Sequence, residues 1–448
     1  MKRVLVWGMA KSGIAAAELL CRAGYAVRIN DLKTNEQLKD DIKPLEGFQY
    51  ENRLGEDVMT LLDDVDTMII SPGIPADHKA AKAAREKGIE VISEIELAYR
   101  LSKGMLIGVT GTNGKTTTTT LIGEIFKAFG KDTHVVGNIG EPYALHALKT
   151  GEESVTVCEL SSFQLETVKD FRPNISLILN LTEDHLNRHK TMENYARIKE
   201  RVFMNQKDED CLILNHDDPI TREMAARAAC RVYFFSRQRE VKGAYVDPDG
   251  YVIWNDGDKK TCIIKADEIY IPGKHNLENA LAAAAACKCA GVPDEIIAST
   301  LKSFKGVEHR IEFVKKVNGV SYINDSKGTN PDSTIKAVEC MKADTVILLG
   351  GSEKNSDYTE LSQVIRASRV KYAVLLGDTG EKIGEALKKA GFDAMEYTGH
   401  DFEKAIRCAA SHAKEGWNVL LSPACASFDM FKDFEHRGEE FKRIVDLL

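Results

Sequence analysis

Several things are missing from this chain, and each absence excludes something. Ten cysteines are scattered from Cys21 to Cys425, and none forms a C-x-x-C pair, the spacing on which structural zinc sites are usually built. The closest two are Cys287 and Cys289, so the expectation is buried, reduced thiols in a cytosolic protein. There is no run of 18 apolar residues, so no transmembrane helix is expected. There is no excess of positive charge: 60 Lys and Arg stand against 68 Asp and Glu, for a net charge of −8. Nothing global attracts nucleic acid or an anionic membrane, and any anion site must be built locally. Short-period repeats and low-complexity tracts are also absent. Lys2 and Arg3 precede an apolar run, but Lys11 ends it early. A secretory segment needs roughly 7–15 apolar residues, so a first β-strand fits better.

What is present is 448 residues, 43% hydrophobic and 29% charged. At roughly 150 residues per domain this suggests about three globular domains. Short β-branched runs alternate with helical patterns throughout, which predicts α/β layers with parallel sheets. Strands are expected at 3–7, 26–30, 66–71 and 89–92, then at 105–110, 133–136, 154–158, 175–180 and 211–214. Residues 231–272 are strand-like, with turn signals at Asp247-Pro-Asp-Gly250 and Asn255-Asp-Gly257, and predict a small antiparallel excursion. An Ala-rich helix follows at about 276–290. A further α/β block carries strands at 320–323, 345–349, 372–376 and 418–421.

The strongest chemical signal is Gly111-Thr112-Asn113-Gly114-Lys115-Thr116-Thr117, between a strand and a helical pattern. Glycines let backbone amides close around phosphate, the helix N-terminus adds positive field, and Lys115 can reach terminal phosphate oxygens. The spacing departs from the strict P-loop, because Val109 stands where a first glycine would fall. Gly8-Met-Ala-Lys11-Ser12-Gly13 also follows a strand, with Asp31 and Leu32 at the end of the next. A nucleoside-diphosphate ligand, a plain βα turn and a nicotinamide dinucleotide all fit it. Glu159 and His185 end strands and suit magnesium held against phosphates. Lys199, on a helical pattern, reads as an ordinary surface lysine. Asn276 and Asn279 share a helix face. Three polar loops, 324–331, 350–354 and 422–429, leave strands of the last block and mark a ligand-binding sheet edge for a small anion.

Together these motifs resemble the Mur ligase family of ATP-dependent amide-forming enzymes. The resemblance rests on the glycine loop and on ELSSFQLE (Glu159 to Glu166), NLTEDH (Asn180 to His185), GKHNLEN (Gly273 to Asn279) and His309-Arg310. NDSKGTNPDST and SPACASFDMFKDFEHRG are similar to the members that add D-glutamate to UDP-N-acetylmuramoyl-L-alanine. The DNPR signature of the diaminopimelate-adding members is absent.

The resemblance implies a three-domain α/β fold. A Rossmann-like domain at 1–95 would take the uridine nucleotide, a P-loop-type ATPase domain at 96–306 would take ATP, and a Rossmann-like domain at 307–448 would take D-glutamate. It implies ATP, two Mg²⁺ ions and a carbamylated Lys199, in a monomeric cytoplasmic enzyme with small-molecule substrates and neither nucleic acid nor membrane as partner. Residue by residue, Gly111 to Thr117 would hold the phosphates, with Lys115, His185 and Lys199 catalytic. Thr116, Glu159, His185 and Lys199 would hold metal. Asn276, Asn279, Arg310 and Asp325 would contact the adenine nucleotide. Lys11, Ser12, Asp31, Leu32, Ser71, Gly73, Asn138, Ser161 and Gln164 would lie on the UDP-sugar side. Lys327, Thr329, Lys354, Ser427, Phe428 and Phe434 would shape the D-glutamate site.

Overall fold

The computed structural model describes residues 3–353 and 356–448. It has two compact units: Met1–Tyr270 with Asn276–Phe304, and Ile271–His275 with Lys305–Leu448.

The first unit carries two sheets. One is wholly parallel, in the order β3-β2-β1-β4-β5, from β1 (Arg3–Trp7), β2 (Ala26–Asn30), β3 (Glu51–Asn52), β4 (Thr67–Ile70) and β5 (Glu90–Ser93). Its central strand is apolar on both faces. Val4 and Val6 enter one core, while Leu5 and Trp7 enter another, the pattern of a parallel sheet covered by helices on both sides.

The second sheet has nine strands: β6 (Met105–Thr110), β7 (Thr133–Gly137), β8 (Val155–Glu159), β9 (Ile175–Ile178), β10 (Cys211–Asn215), β11 (Arg231–Ser236), β12 (Gly243–Val246), β13 (Tyr251–Asn255) and β14 (Lys260–Lys265). Their order is β14-β13-β12-β11-β10-β9-β6-β8-β7. The expected excursion at 231–272 is antiparallel from β12 to β14. It does not stand apart, however, because β11 pairs in parallel with both β10 and β12 and so extends the same sheet. One apolar cluster runs from Val4 and Val6 through Ile95, Leu97 and Tyr143 to Leu212 and Leu214, tying the two sheets together.

The second unit holds β15 (Glu312–Val317), β16 (Val320–Asn324), β17 (Thr345–Gly350), β18 (Val370–Leu376), β19 (Met395–Tyr397) and β20 (Asn418–Leu421), in the order β15-β16-β20-β17-β18-β19. Only β15 is antiparallel to its neighbour. Along β17, Val346 and Leu348 face one core and Ile347 and Leu349 the other. No helix among the described residues is long and apolar enough to cross a membrane.

Candidate active site

Strand β6 delivers the chain into the glycine loop. Gly111 has φ +147°, and Gly114, which begins the helix Lys115–Ala128, has φ +84°. A Cβ on Gly114 would sit 2.2 Å from Asn279 Oδ1, so only glycine fits. Gly114, as the N-cap, makes no side-chain cap hydrogen bond, and a helix N-terminus carries a field that favours an anion. The exit of β9 braces the loop. Asn113 N–H donates to Asn180 Oδ1 (2.8 Å), Asn180 Nδ2 donates to the Asn113 carbonyl (3.0 Å), and Thr112 N–H donates to the Asn180 carbonyl (2.9 Å). Lys115 Nζ lies across the loop, donating to the carbonyls of Gly111 (3.0 Å) and Thr112 (2.7 Å). Thr116 and Thr117 are buried behind it.

Asn276 and Asn279 reach this loop from the helix Lys274–Cys289. Asn279 Nδ2 donates to Asn276 Oδ1 (3.2 Å), and Thr118 Oγ1 donates to Asn279 Oδ1 (3.4 Å). Glu159 ends β8 and is buried. Its Oε1 accepts from Asn138 Nδ2 (3.0 Å), while Oε2 has no hydrogen-bond partner. His185 takes the left-handed conformation at φ +53°, with its ring against Phe163. Ser161 and Gln164 form a capping box with one another, and Gln164 is buried.

Lys199 corrects the sequence reading. It is no surface lysine: 1% of it is exposed. Nζ donates to the Gly111 carbonyl (2.8 Å) and to Thr110 Oγ1 (3.2 Å), directly under the loop. Burial, reinforced by the Lys115 charge, pushes its pKa well below the ordinary lysine value, and Asp184 and Glu159 oppose this only in part.

The five-stranded sheet carries a second glycine turn, beside a cavity. Gly8 (φ +95°) turns β1 into the helix Lys11–Arg22, and an ideal Cβ there would lie 2.6 Å from the Ser71 Cβ. A Cβ on Gly13 would lie 1.9 Å from the Gly8 carbonyl oxygen. Asp31 Oδ2 accepts from Met9 N–H (2.7 Å), and Leu32 is 83% exposed. Here a pocket of about 620 Å³ is lined by Met9, Ala10, Lys11, Asp31, Pro142 and Leu145. Gly73 lies in the neighbouring turn after β4.

Arg188, which the sequence reading did not select, joins this turn to the nine-stranded sheet. Its guanidinium donates twice to Glu166 (2.8 and 2.5 Å), to the Pro72 carbonyl (2.8 Å) and to the Ile74 carbonyl (3.1 Å).

In the second unit, Asp325 leaves β16 buried. Its Oδ2 accepts from Ser422 Oγ (2.6 Å) and its Oδ1 from Ile311 N–H (3.2 Å). Burial pushes its pKa up to about 6, against the Ser422 hydrogen bond and the Arg310 charge. Lys327 Nζ stands 5.0 Å from the Phe434 ring centroid. Thr329 N–H donates to the Lys327 carbonyl. Ser427 is buried and Phe428 is 71% exposed. Arg437, also missed in the sequence reading, is 1% exposed. It donates to Ser326 Oγ (2.9 Å), to the Ser326 carbonyl (2.8 Å) and to the carbonyls of Cys425 and Ala426. It therefore knits two of the three polar loops together. Lys354 lies outside the described residues.

A glycine loop opening a helix at the end of a central parallel strand defines a nucleotide-dependent α/β enzyme. Family comparison specifies which. Residues 2–93 match the Mur ligase MurD-like N-terminal domain, 109–287 the Mur ligase middle domain and 309–425 the Mur ligase glutamate ligase domain. The chain is 46% identical over 448 residues to UDP-N-acetylmuramoylalanine–D-glutamate ligase of Thermoanaerobacter sp. (strain X514), covering 99% of this chain and 98% of that one. It is 44% identical to the Clostridioides difficile (strain 630) protein of the same name, covering 100% and 99%. Among solved structures, UDP-N-acetylmuramate-alanine ligase of Thermotoga maritima superposes with a TM-score of 0.63 at 19% identity, covering 100% and 99%. MurF ligase of the same organism, in complex with ADP, gives 0.61 at 18%, covering 94% and 95%. The chain belongs to the Mur ligase family.

Proposed function

We propose that this protein joins D-glutamate to UDP-N-acetylmuramoyl-L-alanine at the expense of ATP, releasing ADP and phosphate, in peptidoglycan precursor synthesis. The observation that carries this reading is full-length identity of 43–46% to ligases of that name, in a chain whose glycine loop is built for phosphate.

The chemistry sets the order of events. A carboxylate resists amine attack because its leaving group would be oxide. Transfer of the terminal phosphoryl of ATP to the L-alanyl carboxylate gives an acyl phosphate. The D-glutamate amine adds to the acyl carbon, and the tetrahedral intermediate collapses to the amide with loss of phosphate. In this reading Lys115 and the Gly111–Thr117 amides hold the ATP phosphates, with Asn276, Asn279, Arg310 and Asp325 on the rest of the nucleotide. Lys11, Ser12, Asp31, Leu32, Ser71, Gly73, Asn138, Ser161 and Gln164 serve the UDP-sugar. Lys327, Thr329, Lys354, Ser427, Phe428 and Phe434 serve D-glutamate.

The donor set fits Mg²⁺. Glu159 Oε2 is a buried carboxylate oxygen with no partner, which is costly unless a cation faces it. Thr116, Glu159, His185 and a carbamylated Lys199 would hold the metal, which when bound would neutralise charge on the phosphate oxygens. Lys199 suits modification, because burial disfavours its ammonium form. The neutral amine adds to CO₂, an N–C bond forms, one amine proton leaves, and a carboxylate results.

The deciding experiment measures phosphate release from ATP. It should require both UDP-N-acetylmuramoyl-L-alanine and D-glutamate. Release with L-alanine or a diamino acid in place of D-glutamate would overturn the assignment, and tight ATP binding without turnover would make the protein a nucleotide sensor.

A further inference from the structure

The segment 138–146 begins with Asn138 and supplies Gly140, Glu141, Pro142 and Leu145 to the 620 Å³ pocket. Two histidines bracket it. His134 lies on β7, and His146 follows the turn Tyr143–Leu145. Their Nδ1 atoms face each other at 3.1 Å. The outer nitrogen of each ring meets a carboxylate: His134 Nε2 lies 3.3 Å from Asp132 Oδ2, and His146 Nε2 lies 2.7 Å from Glu141 Oε2. Both rings are mostly buried, with 13% and 17% of their side chains exposed.

Carboxylates only accept, so each favours a ring proton on the Nε2 that faces it. Both Nδ1 lone pairs then point at each other, an arrangement that repels unless an electrophile lies between them. Two Zn–N bonds meeting at a tetrahedral angle place their nitrogens about 3.3 Å apart. A carboxylate behind each ligating imidazole is the usual support of a histidine metal site. We propose that His134 and His146 form a divalent transition-metal site, selective for zinc- or copper-like ions over Mg²⁺ because its inner donors are imidazole nitrogens. Solvent completes the coordination. Occupied, the site ties together the two ends of the pocket-lining segment. Only that last consequence rests on assigning the pocket to the uridine nucleotide; metal binding does not.

The test is a Cu²⁺ titration of the full chain in saturating Mg²⁺, followed by electron paramagnetic resonance. One ion per chain is expected, with hyperfine coupling to two imidazoles. Affinity should fall at least tenfold in His134→Gln and in His146→Gln, and stay within twofold in His185→Gln. Unchanged affinity in the first two variants overturns the proposal and leaves the pair holding a shared proton. Loss that tracks His185→Gln overturns it too. If either variant fails to fold, the count of coupled imidazoles in the unaltered chain decides, and fewer than two rejects the site. Ligase activity enters none of these readings, so the proposed function can fail or stand independently.

Discussion

Lys199 shows what a single side chain costs and supplies. It shares the buried face of the helix Met192–Glu200 with Tyr195 and Ala196, and burial under the glycine loop disfavours its ammonium form. Lys199→Ala should lower turnover by about 100-fold, the scale expected when support for a metal is removed, and added short carboxylic acids should restore part of it. Full activity without additive would end the carbamate assignment. Glu94 offers a second test. Its Oε1 accepts from Ala144 N–H (2.6 Å), its Oε2 is buried without a partner, and burial pushes its pKa up to about 7. The folded state therefore holds this proton more tightly than the unfolded chain, so stability is full below the ordinary value of 4.5 and is lost as pH rises through about 7. Glu94→Gln removes that slope and should be more stable than the parent at pH 8 by about 3 kcal/mol. Urea unfolding at pH 4 and pH 8 gives both slopes; parallel slopes would reject the assignment.

Among elements, the phosphate loop makes the sharpest demand. Gly114→Ala places a methyl against Asn279 Oδ1 at a φ that side chains avoid. KM for ATP should rise about tenfold or more, with KM for the uridine nucleotide within about twofold; a parallel rise in both would mean that the loop does not act on ATP alone. The same element was the most legible in the sequence, because glycine and lysine at fixed spacing after a strand leave few alternatives. The inner strands were legible too, since strands buried on both faces read as continuous apolar runs. The strands that escaped, β3, β15 and β19, all lie at sheet edges. Edge strands are short or charged: β15 reads EFVKKV. Asn318-Gly319, both at positive φ, was the available signal for its hairpin. Arg188, Asn180 and Arg437 escaped for another reason. Their partners are remote in sequence, as with Arg188 and Pro72, 116 positions apart, and no local pattern marks them. Lys199 was marked only by the family resemblance, because by its local pattern a lysine on a helix is solvated.

At the scale of the whole molecule, each compact unit has its own apolar cores. Calorimetry should therefore resolve two transitions. On the proposed function, UDP-N-acetylmuramoyl-L-alanine binds the pocket of the first unit and should raise that unit's transition by mass action, by about 2.7 kcal/mol at a hundred times Kd. The transition of residues 305–448 should move far less; a single transition shifting as one would contradict this. The division of the chain also has a consequence for synthesis. Everything in the first unit lies at or before Phe304, while Ile271–His275 belongs with the later unit. At roughly 5–20 residues per second the ribosome needs about 7–30 seconds to make the remainder. During that interval the nascent chain can already close both sheets and the phosphate loop, while five residues stay outside the finished body, awaiting a sheet that has not yet been translated.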